Sequence, residues 1–185
     1  MIPEKKTVKL GRLTMAYYDE APDQPTATIL LIHGFASTAR VNWVTTGWMK
    51  RLLEVGLRVV AVDNRGHGDS QKFYSPDDYG PDIFAADSLA LMDHLNIEQS
   101  HIMGYSMGSR ISAWLAAYHP NRVDRVVLGG MGAHIFGQRR DYEPVARALE
   151  TDDMNSIEDA GALTFRKFAD NTNSDRLALA ACIRP

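Results

Sequence analysis

The chain has 185 residues, with 20 basic and 23 acidic side chains and a net charge of −3, a balance that offers no electrostatic footprint for nucleic acid or an anionic membrane surface. Apolar residues make up 45%, enough for a buried core, which excludes wholesale disorder. A single cysteine, Cys182, excludes an internal disulfide scaffold and, with no apolar run long enough to span a bilayer and no secretory leader behind Met1, fits a cytoplasmic setting.

In chain order, Leu13 to Tyr18 reads as a strand. Thr28 to Ile32 is a continuous apolar run, the mark of a strand buried on both faces. It closes on His33-Gly34-Phe35. Trp43 to Val55 has helical spacing, with Trp48, Leu52 and Val55 at i, i+4 and i+7 and Gly56 as a stop. Leu57 to Val62 is a second buried strand and runs into Asp63-Asn64-Arg65-Gly66-His67-Gly68-Asp69-Ser70. Pro81 to Leu95 is a helix with proline at its start. Ser100 to Gly104 is a short strand, Met107 to Tyr118 a helix ended by His119-Pro120, and Val123 to Leu128 a further strand. This alternation predicts an α/β fold, a mostly parallel sheet with helices on both faces.

After Gly132 the pattern changes. Pro144 to Leu149, Ile157 to Ala169 and Arg176 to Ile183 read as three helices, with Asn173, Ser174 or Asp175 available to cap the last. Phe165 and Phe168 share a helix face and are expected in the core. The expected organisation is an α/β core over residues 1–132 and a helical cap segment over 133–185, packed on the carboxyl edge of the sheet.

The chemistry centres on Gly104-Tyr105-Ser106-Met107-Gly108, a G-x-S-x-G pattern between a strand and a helix. A serine on a tight turn projects its hydroxyl above the sheet. The same turn brings the residues two before and two after so close that a Cβ would clash, hence Gly104 and Gly108. The following helix aims its free N–H groups and its dipole at this point, so the Met107 N–H is expected to be one oxyanion donor. The Phe35 N–H is expected to be the second, with Gly34 letting the chain swing over the pocket. His33 and His67 are read as scaffold rather than proton-transfer groups, and Asp63 and Arg65 as a brace between loops. Trp43, Tyr105 and His134 are expected to line the pocket.

Together, His33 to Phe35, Asp63 to Ser70 and Gly104 to Gly108 resemble the α/β-hydrolase superfamily over about Leu10 to Gly132. Within it the chain is similar to small serine esterases, enol-lactonases, carbon–carbon bond hydrolases and cofactor-free haloperoxidase-like proteins. Serine at position 106 departs from epoxide hydrolases and haloalkane dehalogenases, which carry aspartate there. The resemblance implies a hydrolase acting on a small-molecule ester, lactone or related carbonyl substrate through an acyl-enzyme on Ser106, with no metal or organic cofactor. It also implies an acid and then a histidine after the nucleophile. The 79 residues beyond Ser106 hold no matching strand-Asp or strand-Gly-His pattern. The expectation is therefore that the triad Asp and His are not in this chain, that the sequence is the amino-terminal part of a longer hydrolase, and that alone it is nearly inactive. A homo-oligomer, or a second chain carrying the carboxyl-terminal half, is the expected assembly. The alternative is a catalytically incomplete fragment with a binding or assembly role only.

Overall fold

The computed structural model describes residues 3–132 and 141–185. Six strands form one sheet: β1 (Lys5–Leu10), β2 (Leu13–Glu20), β3 (Ala27–Ile32), β4 (Leu57–Val62), β5 (Ser100–Tyr105) and β6 (Val123–Gly129). Their order across the sheet is β1-β2-β4-β3-β5-β6. The β1–β2 and β2–β4 pairs are antiparallel; β4, β3, β5 and β6 run parallel. A short two-residue turn can join antiparallel strands, and Gly11 in the left-handed region (φ 60°) makes the β1–β2 turn. The parallel pairs need helical crossovers, supplied by α1 (Trp48–Glu54), α2 (Pro81–His94) and α3 (Met107–Tyr118).

The buried runs behave as their composition dictates. Leu30, Leu31, Ile32, Val59, Val60, Ala61 and Val62 are all at most 1% exposed, because β3 and β4 are covered on both faces. One face packs on α2, α3 and the helices beyond residue 141; the other packs on α1 and the turn before it.

The sequence expectation for the helix Trp43 to Val55 is corrected. Arg40–Val44 forms one wide π-type turn, Gly47 takes φ 83°, and the α-helix starts only at Trp48. Trp48 and Val55 lie exposed, and Met49 is the buried residue of the helix. The strand β1, with three lysines in six residues, carries only a weak apolar alternation and so has no clear strand signature in the sequence.

Three helices follow residue 141: α4 (Glu143–Glu150), α5 (Ala160–Asn171) and α6 (Arg176–Ile183). Asp159 and Asp175 cap α5 and α6, accepting from Ala162 N at 2.6 Å and Ala178 N at 3.0 Å. Arg166, 6% exposed, ties α5 to the end of α4 through the carbonyls of Ala148 and Thr151. Val145, Leu149 and Leu179 join the same buried cluster as Leu30, Ile32 and Ile102. The helices thus close over the carboxyl ends of the parallel strands.

Candidate active site

The turn after β5 is where the chain bends most sharply. Ser106 adopts φ 52° and ψ −112°, a conformation that L side chains rarely take and that persists only when its surroundings enforce it. A Cβ on Gly104 would stand 2.2 Å from the Gly108 carbonyl oxygen, and a Cβ on Gly108 would stand 2.0 Å from the Ile32 carbonyl oxygen. Neither distance is tolerable, so both positions require glycine. Two further bonds fix the turn: Ser106 N donates to Gly129 O at 2.8 Å, and the Ser109 hydroxyl reaches the same carbonyl at 2.7 Å. The turn is thereby lashed to the end of β6.

The loop after β3 lies against this turn. A Cβ on Gly34 would fall 3.4 Å from Ser106 Cβ. Gly34 N donates to the Asn42 side chain at 2.9 Å, so the wide turn at 40–44 fixes the loop's path. Ala36 follows with φ 56°, and its carbonyl lies 2.9 Å from the Thr172 hydroxyl at the end of α5. Phe35 packs edge-on against Phe165 of α5 and against His67, both with centroids 5.8 Å apart. Met107 opens α3, where an N–H has no partner within the helix. The Phe35 and Met107 N–H groups have no acceptor among the described residues.

The loop Asp63 to Ser70 is a brace. Asp63 accepts from Ala39 N at 2.8 Å and Asp69 N at 3.0 Å. Lys72 Nζ donates to the carbonyls of Gly68, Ser70 and His67. Arg65 pairs not with Asp63, as residue spacing had suggested, but bidentately with Asp87 of α2, at 2.5 and 2.7 Å. His33 Nδ1 donates to Gly34 O at 2.7 Å, and its Nε2 accepts from Asn64 N at 3.0 Å, so both ring nitrogens are committed to loops. Burial pushes the His33 pKa down to about 4, with its bond to the Gly34 carbonyl opposing. Burial, then the neighbouring His33 ring, pushes His67 down to about 3. Both rings are neutral at pH 7.

A cavity of about 620 Å³ opens above Ser106, within the range of small-molecule sites. Gly34, Phe35, Tyr105, Ser106 and Met107 line it, and of these Tyr105 was an expected wall residue. Trp43 does not line it. It is 2% exposed beneath the opposite face of the sheet, among Tyr18, Ile29 and Leu31, because the turn at 40–44 directs it inward. Phe165 and Phe168, expected in the core, instead wall the cavity together with Phe84 and Tyr142. Arg110 and Asn42 also line it and escaped the sequence reading; Arg110 was recoverable, since it lies in the first turn of the helix that follows Ser106. His134 lies outside the described residues.

None of the five described histidines lines the cavity. His101 sits at the far, amino-terminal end of β5 beside Asp124, with Nδ1 3.1 Å from the carboxylate, about 17 Å of strand away from the Ser106 turn. No described side chain hydrogen-bonds the Ser106 hydroxyl. Among the described residues no cluster of histidine, cysteine, aspartate and glutamate could hold a metal ion, and no helix is long and apolar enough to cross a membrane.

A family model of the alpha/beta hydrolase fold matches residues 27–174. The chain belongs to that family. Among its relatives, epoxide hydrolase B of Mycobacterium tuberculosis is 30% identical over 147 residues, taking in 71% of this chain and 40% of that protein. The 3-oxoadipate enol-lactonase 2 of Acinetobacter baylyi is 33% identical over 104 residues, 56% of this chain and 38% of that protein. The enol-lactonase structure from Burkholderia xenovorans LB400 superimposes with a TM-score of 0.70 at 22% identity, covering 95% of this chain and 71% of that one; at that identity the likeness shows the fold. This α/β-hydrolase chain spans about two fifths of the length of the curated relatives it matches.

Proposed function

We propose that the protein is a serine hydrolase acting on an ester or lactone. The observation that carries this reading is Ser106, held at φ 52° between β5 and α3 with the cavity above it. In the proposed reaction a base removes the Ser106 proton, and Oγ attacks the substrate carbonyl carbon. The electron pair of the C=O bond moves onto oxygen, where the N–H groups of Phe35 and Met107 receive it. Each such donor is worth roughly 3–4 kcal/mol to a developing oxyanion. The intermediate collapses to an acyl-enzyme and expels the alkoxide, which takes up the proton. Water then repeats the sequence and releases the acid.

Cavity chemistry supports this reading: aromatic and aliphatic walls surround a few polar groups, as small-molecule sites require. The base is not one of the five described histidines, since none faces Ser106. We assign it, with its orienting acid, to residues outside those described. The same observation favours a second reading, in which the 185-residue chain alone binds ligand and turns over almost nothing.

A fluorophosphonate probe tests both. Ser106 in the chain alone should label slowly, near the rate left when triad members are lost, and Ser106→Ala should abolish labelling. Labelling that persists in Ser106→Ala removes the nucleophile assignment. Fast labelling or robust esterase turnover by the chain alone, lost in His134→Ala, would instead make His134 the base.

A further inference from the structure

We propose that Arg110 is an anion-recognition residue of the cavity, so that the substrate is an ester or lactone that also carries a carboxylate. The inference rests on the reading of the cavity as the hydrolytic site and narrows its substrate class.

Arg110 is the one ionised side chain among the described residues that line the cavity. It is half-buried. Arg58, Arg65, Arg122, Arg166 and Arg176, equally or more buried, each hold a carboxylate. The remaining arginines among the described residues that have no carboxylate partner, Arg40 and Arg125, stand in solvent. Among the described arginines, Arg110 alone is withdrawn from water with no carboxylate in ion-pair range. A partly desolvated guanidinium is costly without a partner and binds a carboxylate through paired, charge-assisted hydrogen bonds.

Its position suits a ligand. Arg110 N lies 3.4 Å from Ser106 O, four residues past the serine that precedes α3, and both residues line the cavity. Four residues of helix rise about 6 Å, the span of a short aliphatic chain between a carbonyl under attack and a terminal acid. The walls between are Phe35, Phe84, Met107, Ile111, Phe165 and Phe168, which accept such a chain and offer no competing charge. A second group points to an oxygen-rich ligand: Ser37 lines the same cavity, is 2% exposed, and its hydroxyl has no partner.

The test compares monomethyl adipate with dimethyl adipate, which differ in one ionised end. Binding is measured by calorimetry at pH 7.5 to the full 185-residue chain and to its Ser106→Ala variant, which removes turnover. The monomethyl ester should bind at least ten-fold more tightly in both. Arg110→Met and Arg110→Gln should each erase that preference with the melting temperature unchanged, and Arg110→Lys should retain part of it. Equal affinities, binding of neither ester, or a preference that survives both Arg110 substitutions overturns the proposal. Phosphonate labelling of Ser106 is read separately. A protein that prefers the anion yet never labels would keep the anion site and lose the hydrolase reading.

Discussion

Gly108 shows how little freedom the Ser106 turn has. Gly108→Val places a branched side chain where the Ile32 carbonyl already stands 2.0 Å from a Cβ position. The strand or the helix must move, at a cost of about 3 kcal/mol or more. For a chain of this size that lowers the melting temperature by roughly 6–12 °C; a wild-type melt would mean the turn is not tight. The two buried histidines make a second prediction. Unfolded histidine titrates near 6.5, whereas His33 waits until about 4 and His67 until about 3. Between these values the unfolded chain binds more protons, so stability is full above pH 6.5 and drains as the pH falls. Each histidine contributes a slope approaching about 1.4 kcal/mol per pH unit. Urea titrations from pH 7 to 4 should show this loss before most carboxylates protonate, and a flat profile would mean the rings are solvated. Gly104 and Gly108 were legible because steric exclusion leaves its mark on residue type. Trp43 was not: its direction depends on a wide turn that hydrophobic spacing does not encode.

The elements follow the same division. β3, β4 and α3 were readable from apolar runs and periodicity, since both-face burial and the 3.6-residue repeat are local properties. The amphipathic stripe of α5 was readable too, yet Phe165 and Phe168 face a cavity rather than packed core. A helix records which side is apolar, not whether that side meets protein or ligand. The brace between Arg65 and Asp87 was likewise hidden, because it joins a loop to the middle of α2 across 22 residues. Both side chains are largely buried, 13% and 11% exposed. Removing one member strands the other, which for buried pairs costs about 3–5 kcal/mol. Asp87→Ala should therefore unfold at distinctly lower denaturant concentration than wild type, while Arg65→Met with Asp87→Leu should recover part of the loss. If Asp87→Ala melts like wild type, the brace contributes nothing to stability.

Over the described residues the sheet has two unlike borders. β1 carries Lys5, Lys6 and Lys9, the charged dressing that keeps an outer strand from recruiting others. β6 pairs only with β5 among the described residues, and Val126, Val127 and Leu128 are 38%, 51% and 38% exposed. Such a border invites pairing. Sedimentation of the 185-residue chain at micromolar concentration should show species larger than 20.6 kDa, and Val127→Lys should shift the population toward monomer. A sharp wild-type monomer peak would show that the β6 border is inert.

That contrast also sets the geometry of any self-association. Two copies joined through β6 must meet about a two-fold axis, which runs their edge strands antiparallel and fuses the sheets into one of twelve strands, twice the six of a single copy. Both outer margins of the fused sheet would then be lysine-bearing β1 strands, which repel a third copy. A sheet fused in this way would stop at a pair rather than propagate as a fibre, and its two Ser106 turns would lie on either side of the symmetry axis.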